Sequence, residues 1–183
     1  MLYAFGFERV GVVVGDLYFV NPRAASGQEG AEYGVRLELR MLDLGALKGS
    51  AYSARPIEIG QPIWRADLLE SVDGPAGSLD RAHHHPAFTG WNPGRRVYVS
   101  EMSHDPFGWL GDRLADLDGL LASAGFPAGA AGPDDAASLR AAAPEIVEVT
   151  RKLLGKVQAG ELGNPPRGEA PAGPSGPVRT GWL

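Results

Sequence analysis

Val35-Arg36-Leu37-Glu38-Leu39-Arg40-Met41 alternates apolar and charged side chains without a break. A period of two places one face of an extended strand on a core and the other toward water. Residues 63–70 repeat the pattern after Pro62. Trp64, Ala66 and Leu68 share one face, while Arg65 and Asp67 share the other. On the N-terminal side, residues 2–7 alternate loosely. Two short apolar runs, 10–14 and 17–20, flank Gly15-Asp16, a pair suited to a tight turn, so a hairpin is expected there. Residues 51–59 read as a strand in which Pro56, lacking an N–H, marks an edge or a bulge. Residues 97–102 read as a further strand.

After residue 104 the period changes. Asp105-Pro106 reads as a helix cap followed by proline at the first helical position. Phe107, Leu110, Leu114, Leu117 and Leu121 recur at steps of three and four, one apolar helix stripe that Gly125 would stop. Trp109 falls off that stripe, which would suit a subunit interface. Asp134 or Asp135 caps a second helix, and Pro144 starts a third or kinks the second. Ile146, Val149, Leu153 and Val157 form its apolar stripe.

Strands first and helices later predict an α+β fold. The expected architecture is an N-terminal antiparallel β-barrel or β-sandwich of six to eight strands, followed by two or three C-terminal helices. Residues 1–162 are read as a single globular domain, β-rich over 1–104 and helical over 105–162. Residues 163–183 form a Pro/Gly-rich tail. The tail ends in Trp182-Leu183, a pair able to dock on the body of the protein or on a second subunit.

Composition narrows the function classes. The 183 residues are 44% hydrophobic and 21% charged, ordinary globular usage. A net charge of -5 argues against nucleic-acid binding that rests on phosphate neutralisation. Arginine outnumbers lysine 14 to 3, which we read as base composition. The absence of cysteine excludes disulfides, thiolate zinc sites, iron–sulfur clusters and cysteine nucleophiles. Glu8 and Arg9 interrupt the first apolar run, so no signal peptide is read, and no apolar stretch is long enough to span a membrane. The expected location is cytoplasmic, without membrane or nucleic-acid partners and with a homodimer left open. No glycine-rich phosphate loop or nucleophile elbow is present.

The chemistry concentrates in residues 80–105. All four histidines lie there: His83, His84, His85 and His104. On a strand, His83 and His85 share a face and His84 points away, so two imidazoles can chelate one divalent ion. Glu101 or His104, arriving after the turn at 89–96, would complete the set. Two or three histidines with one carboxylate suit iron, zinc, manganese or nickel. The expected metal ligands are therefore His83, His85, Glu101 and His104.

Gly77, five residues, then His83-His84-His85 resembles the opening of the cupin first motif, a Gly, five residues and His-x-His. That resemblance implies a metal inside a small double-sheet barrel. The glutamate that follows in cupins has no counterpart among residues 86–90, and the second motif is not legible around His104.

Two other expectations remain open. Without a metal, His83, His85 and His104 could act as general acids or bases toward a small organic substrate. Asp67, Asp80 or Asp105 would then orient an imidazole, and Arg65 or Arg81 would hold a substrate carboxylate. An isomerase, cyclase or hydrolase would fit. Alternatively the histidines brace a turn, and the protein is a non-catalytic binding or interaction module. On its own, the Arg65/Asp67 pair reads as a solvated surface pair.

Overall fold

Alternation in the chain is answered by a meander. The computed structural model describes residues 1–24, 26 and 28–165. Strands β1 (Leu2–Gly6), β2 (Val10–Val20), β3 (Ala31–Leu44), β4 (Ile57–Ser71) and β5 (His83–His85) form one antiparallel sheet in sequence order. β1 and β5 are its edges, so the sheet is open. Strands β6 (Phe88–Thr89) and β7 (Asn92–Pro93) make a separate small hairpin. Among the described residues four helices follow: α1 (Ser100–His104), α2 (Pro106–Ala115), α3 (Leu117–Ser123) and α4 (Asp135–Gln158). The fold is α+β.

Register turns the alternation into a layer. Val12 lies opposite Leu39 and Leu39 opposite Trp64, while Val14, Leu37 and Ala66 form the adjacent row. All six are buried. Helices cover this face with Trp109, Leu110 and Leu114 from α2, Leu117 from α3, and Leu139, Ile146 and Leu153 from α4. Each such aliphatic side chain removed from water contributes roughly 1.5–3 kcal/mol before its entropy cost.

Several local expectations are corrected. Gly15-Asp16 is not a turn, because β2 runs unbroken through it and pairs with β3 along its whole length. Residues 97–102 are not a strand; Val97 bridges His84, and α1 begins at Ser100. The stripe from Phe107 to Leu121 is two helices, because Asp116 accepts the Gly119 N–H at 3.0 Å and caps a new start. Trp109 is in the core. Pro144 sits inside α4, which continues through it. Asp105 caps α2 as expected, accepting the Gly108 N–H at 3.0 Å. Residues 166–183 of the tail, Trp182-Leu183 among them, lie outside the described residues.

Two features shape the sheet near its centre. The β3–β4 register shifts around Arg40, opposite Pro62, which cannot donate to the ladder. At Gly34, φ is +155°, and a Cβ would stand 2.0 Å from the Leu68 carbonyl oxygen; only glycine lets the two strands approach so closely.

Candidate metal centre

The face of the sheet away from the helices carries Arg36, Glu38 and Arg40 on β3, Arg65 and Asp67 on β4, and His83 and His85 on β5. Cross-strand pairing sets Arg36 opposite Asp67 and Asp67 opposite His83, with Glu38, Arg65 and His85 in the adjacent row. Such a polar face would ordinarily be solvated. Here the segment after β5 folds over it. Phe88 stands 6.3 Å from His85 and Tyr98 5.6 Å from His83, ring centre to ring centre. Arg96 reaches across to Glu32 in a two-pronged pair at 3.0 and 3.2 Å. Asp67, His83 and His85 are consequently buried.

Those three side chains converge. His83 Nε2 lies 3.3 Å from Asp67 Oδ2, and His85 Nε2 lies 3.7 Å from the same oxygen. One ligand atom from each falls within 4.8 Å of the others, and the group could hold a metal ion. The backbone fixes both tautomers. His83 Nδ1–H donates to the Arg81 carbonyl at 2.7 Å, and His85 Nδ1–H donates to the Gly94 carbonyl at 2.7 Å. A carbonyl only accepts, so the Nδ1 atoms carry protons and leave both Nε2 atoms facing inward toward Asp67. His83 Nε2 is buried and has no hydrogen-bond partner.

Arginines set the electrostatics. Arg36 Nε donates to Asp67 Oδ1 at 2.7 Å. Arg65 Nε stands 3.0 Å from Asp67 Oδ2, and its Nη2–H donates to His85 Nε2 at 2.9 Å. Burial by itself would raise the Asp67 carboxyl. The contact with His83 and the charges of Arg36 and Arg65 outweigh it and hold the group well below the usual carboxylate range. Burial, reinforced by the Arg65 charge, lowers His85 to about 4, so its imidazole is neutral near pH 7. His84 faces the helix side, where Trp64 Nε1–H donates to its Nδ1 at 3.3 Å and its ring meets Trp109 edge to face. It too is lowered to about 4, by burial first and then by Arg113 and His83.

The expected ligands thus divide. His83 and His85 come together, with Asp67 beside them. Glu101 and His104 do not join them. Both are exposed on α1, and His104 Nδ1–H donates to the Ser100 carbonyl one turn back. The reason is the helix: the segment expected to pair as a strand meets β5 only at Val97, opposite His84, and turns into α1 at Ser100. Arg81 lies next to the site in sequence and supplies its carbonyl to His83, while its guanidinium pairs with Asp80. Asp105 is a helix cap. The Arg65/Asp67 pair is buried rather than solvated. Asp67 was expected to orient an imidazole, not to stand among the candidate ligands. The signal was its place on the non-core face of the strand preceding the histidines, across the connection 72–82. Among the described residues no helix is long and apolar enough to cross a membrane. No protein-family model, curated protein or solved structure matches this chain.

Proposed function

We propose that the chain is a small metal-dependent enzyme acting on a small organic substrate. Asp67 Oδ2, His83 Nε2 and His85 Nε2 hold one divalent ion, with iron, zinc, manganese and nickel as the candidates. One observation carries this reading: His83 Nε2 is buried without an aligned hydrogen-bond partner, 3.3 Å from a carboxylate oxygen. A cation held between these two atoms would satisfy both. Two imidazoles and one carboxylate are the donors of facial metal sites that keep positions open for substrate.

When bound, the ion supplies Lewis-acid polarisation or dioxygen activation. The chain's own residues do the rest. The Arg81 and Gly94 carbonyls lock both imidazoles in the ligating tautomer. Arg36 keeps Asp67 ionised. Phe88 and Tyr98 shield the group from water, which strengthens every charge interaction within it. An ion held by His85 and Asp67 would leave Arg65 with Glu38 Oε1, 3.9 Å from its Nη1, as its remaining anionic neighbour in the row.

The Arg65 contact to His85 Nε2 favours a second reading, in which the guanidinium itself completes the site. In that case no metal binds, and the ionised Asp67 orients His83 as a general acid or base toward a substrate.

Elemental analysis separates the two. Tag-free protein purified without chelator should carry close to one equivalent of a transition metal. A folded His83→Ala/His85→Ala variant should carry none. Titration with Co²⁺ should give one saturating absorption change per chain. A parent protein that holds no metal and takes up none eliminates the metal reading and leaves the acid–base one.

A further inference from the structure

The reading above creates a difficulty for Arg65, and the difficulty points to a substrate class. The Arg65 side chain is only 12% exposed. Its Nη2–H uses His85 Nε2 as acceptor. Its Nε is buried with no aligned acceptor, although Asp67 Oδ2 is 3.0 Å away. Both neighbours are the atoms assigned to the metal. The alternative acceptor, Glu38, is shared: its Oε2 takes Arg40 Nε at 2.7 Å, and its Oε1 stands 3.9 Å from Arg65 Nη1, beyond hydrogen-bond reach. Loading the ion therefore leaves a buried guanidinium short of acceptors, and such unmet donors are costly.

Charge leads the same way. In this network Arg36, Arg40, Arg65 and Arg96 face only Glu32, Glu38 and Asp67. Four cations against three anions leave one positive charge in excess. A divalent ion raises the excess to three, on a face partly covered by the Phe88 and Tyr98 rings. A chloride or hydroxide would offset one charge but could not engage the planar fork of Arg65. A carboxylate can do both, accepting from the guanidinium with one oxygen and reaching the ion with the other. A second oxygen donor on the adjacent carbon would close a chelate ring on the metal. The rim suits a small planar acid. Phe88 lies 5.7 Å from the Arg65 guanidinium, and Tyr98, beside His83, is 46% exposed.

We infer that the site takes a small organic acid of the 2-oxo or 2-hydroxy type, its carboxylate shared between the metal and Arg65. This inference rests on the metal reading. Arg65 then has two successive roles: it occupies the ligand atoms while the ion is absent, and it binds the anion once the ion is present.

The test uses Co²⁺ as the metal and oxalate as the anion, followed by calorimetry and visible absorption. Parent protein should bind one Co²⁺. Loaded protein should then bind oxalate at least ten-fold more tightly than metal-free protein, with a change in the cobalt spectrum. Arg65→Met should bind Co²⁺ more tightly than the parent, because nothing competes for Asp67 and His85, yet lose at least ten-fold in oxalate affinity. Arg65→Lys, which keeps the charge but not the fork, should bind oxalate with intermediate affinity. Equal oxalate affinity in the parent and both variants overturns the inference while leaving the metal site standing. So does oxalate that strips the ion instead of joining it. Failure of parent and Arg65→Met alike to take up Co²⁺ is a different result, and it removes the metal reading together with this one.

Discussion

Replacing Asp67 with asparagine tests the electrostatic core of the site without any assumption about its ligand. The side chain is 1% exposed, has Arg36 Nε at 2.7 Å and Arg65 Nε at 3.0 Å, and sits beside both inward-facing imidazoles. Asparagine keeps the shape and removes the charge. Two guanidinium groups then lose their shared counter-ion. At an effective dielectric of about 20, a contact ion pair is worth about 4 kcal/mol. The Arg36 side chain is 29% exposed, so water recovers part of its loss, while Arg65 recovers little. Relief of the carboxylate's own desolvation offsets a further part. Breaking one partner out of a buried pair costs about 3–5 kcal/mol, and Asp67→Asn should fall near the lower end. With a urea m-value of about 2 kcal/mol per molar, the unfolding midpoint should drop by about 1.5 M. The assay is urea unfolding followed by far-UV circular dichroism, with chelator present so that metal binding contributes nothing. Adding Arg65→Met should restore part of the loss, because the orphaned charge is gone. A midpoint within about 0.3 M of the parent at unchanged m-value would refute the buried-charge argument.

Other expectations follow from single contacts. Asp135, buried at the start of α4, accepts the Glu8, Arg9 and Gly132 N–H groups, the shortest at 2.6 Å; Asp135→Ala should cost about 2–4 kcal/mol, measured in the same unfolding assay. His84 is lowered from 6.5 to about 4, so the unfolded chain binds the extra proton between those values, and the stability that neutral His84 provides is complete above pH 6.5 and lost as pH falls toward 4. Because its ring is only half buried, that loss should be about 1–2 kcal/mol. His84→Phe should flatten this part of the pH–stability profile, unless His85, lowered over the same window, accounts for all of it. If the metal reading holds, chelator should lower the melting temperature of loaded protein. At free metal 100-fold above its dissociation constant the stabilisation removed is about 2.7 kcal/mol, and unchanged melting would count against the site.

The faces of the strands were legible because alternation is local. Leu37 and Leu39 had to face one way and Arg36 and Glu38 the other whatever the fold, and the same rule set His83 and His85 apart from His84. Element boundaries failed where a side chain competed with the backbone pattern. The Asp116 carboxylate divides a stripe that periodicity alone reads as one helix. Gly15-Asp16 has turn composition, but a full-length ladder with β3 outweighs it. The segment at Glu101 has strand composition and becomes α1, which removes two expected ligands from the site.

Asp67 was legible as a carboxylate that could orient an imidazole but not as a candidate ligand, for a different reason: a strand's face follows from its own sequence, whereas its neighbour depends on the connection between strands. Residues 72–82 are held by contacts that composition does not announce. Glu70 accepts the Gly77 N–H with both oxygens, at 3.0 and 2.9 Å. Asp80 accepts the Ser71 N–H at 2.9 Å, and the Arg81 N–H donates to the Leu69 carbonyl at 3.1 Å. Gly77, with φ of +85°, turns the chain where these bonds need it. Together they deliver His83 opposite Asp67 and His85 opposite Arg65. A slip of one residue in that register would send both imidazoles to the helix side and His84 to the charged side. The acids of the connection thus belong to the site in effect, although none of them touches it. Glycine at position 77 serves a polar turn here, and its spacing from the histidines follows from the length of that turn.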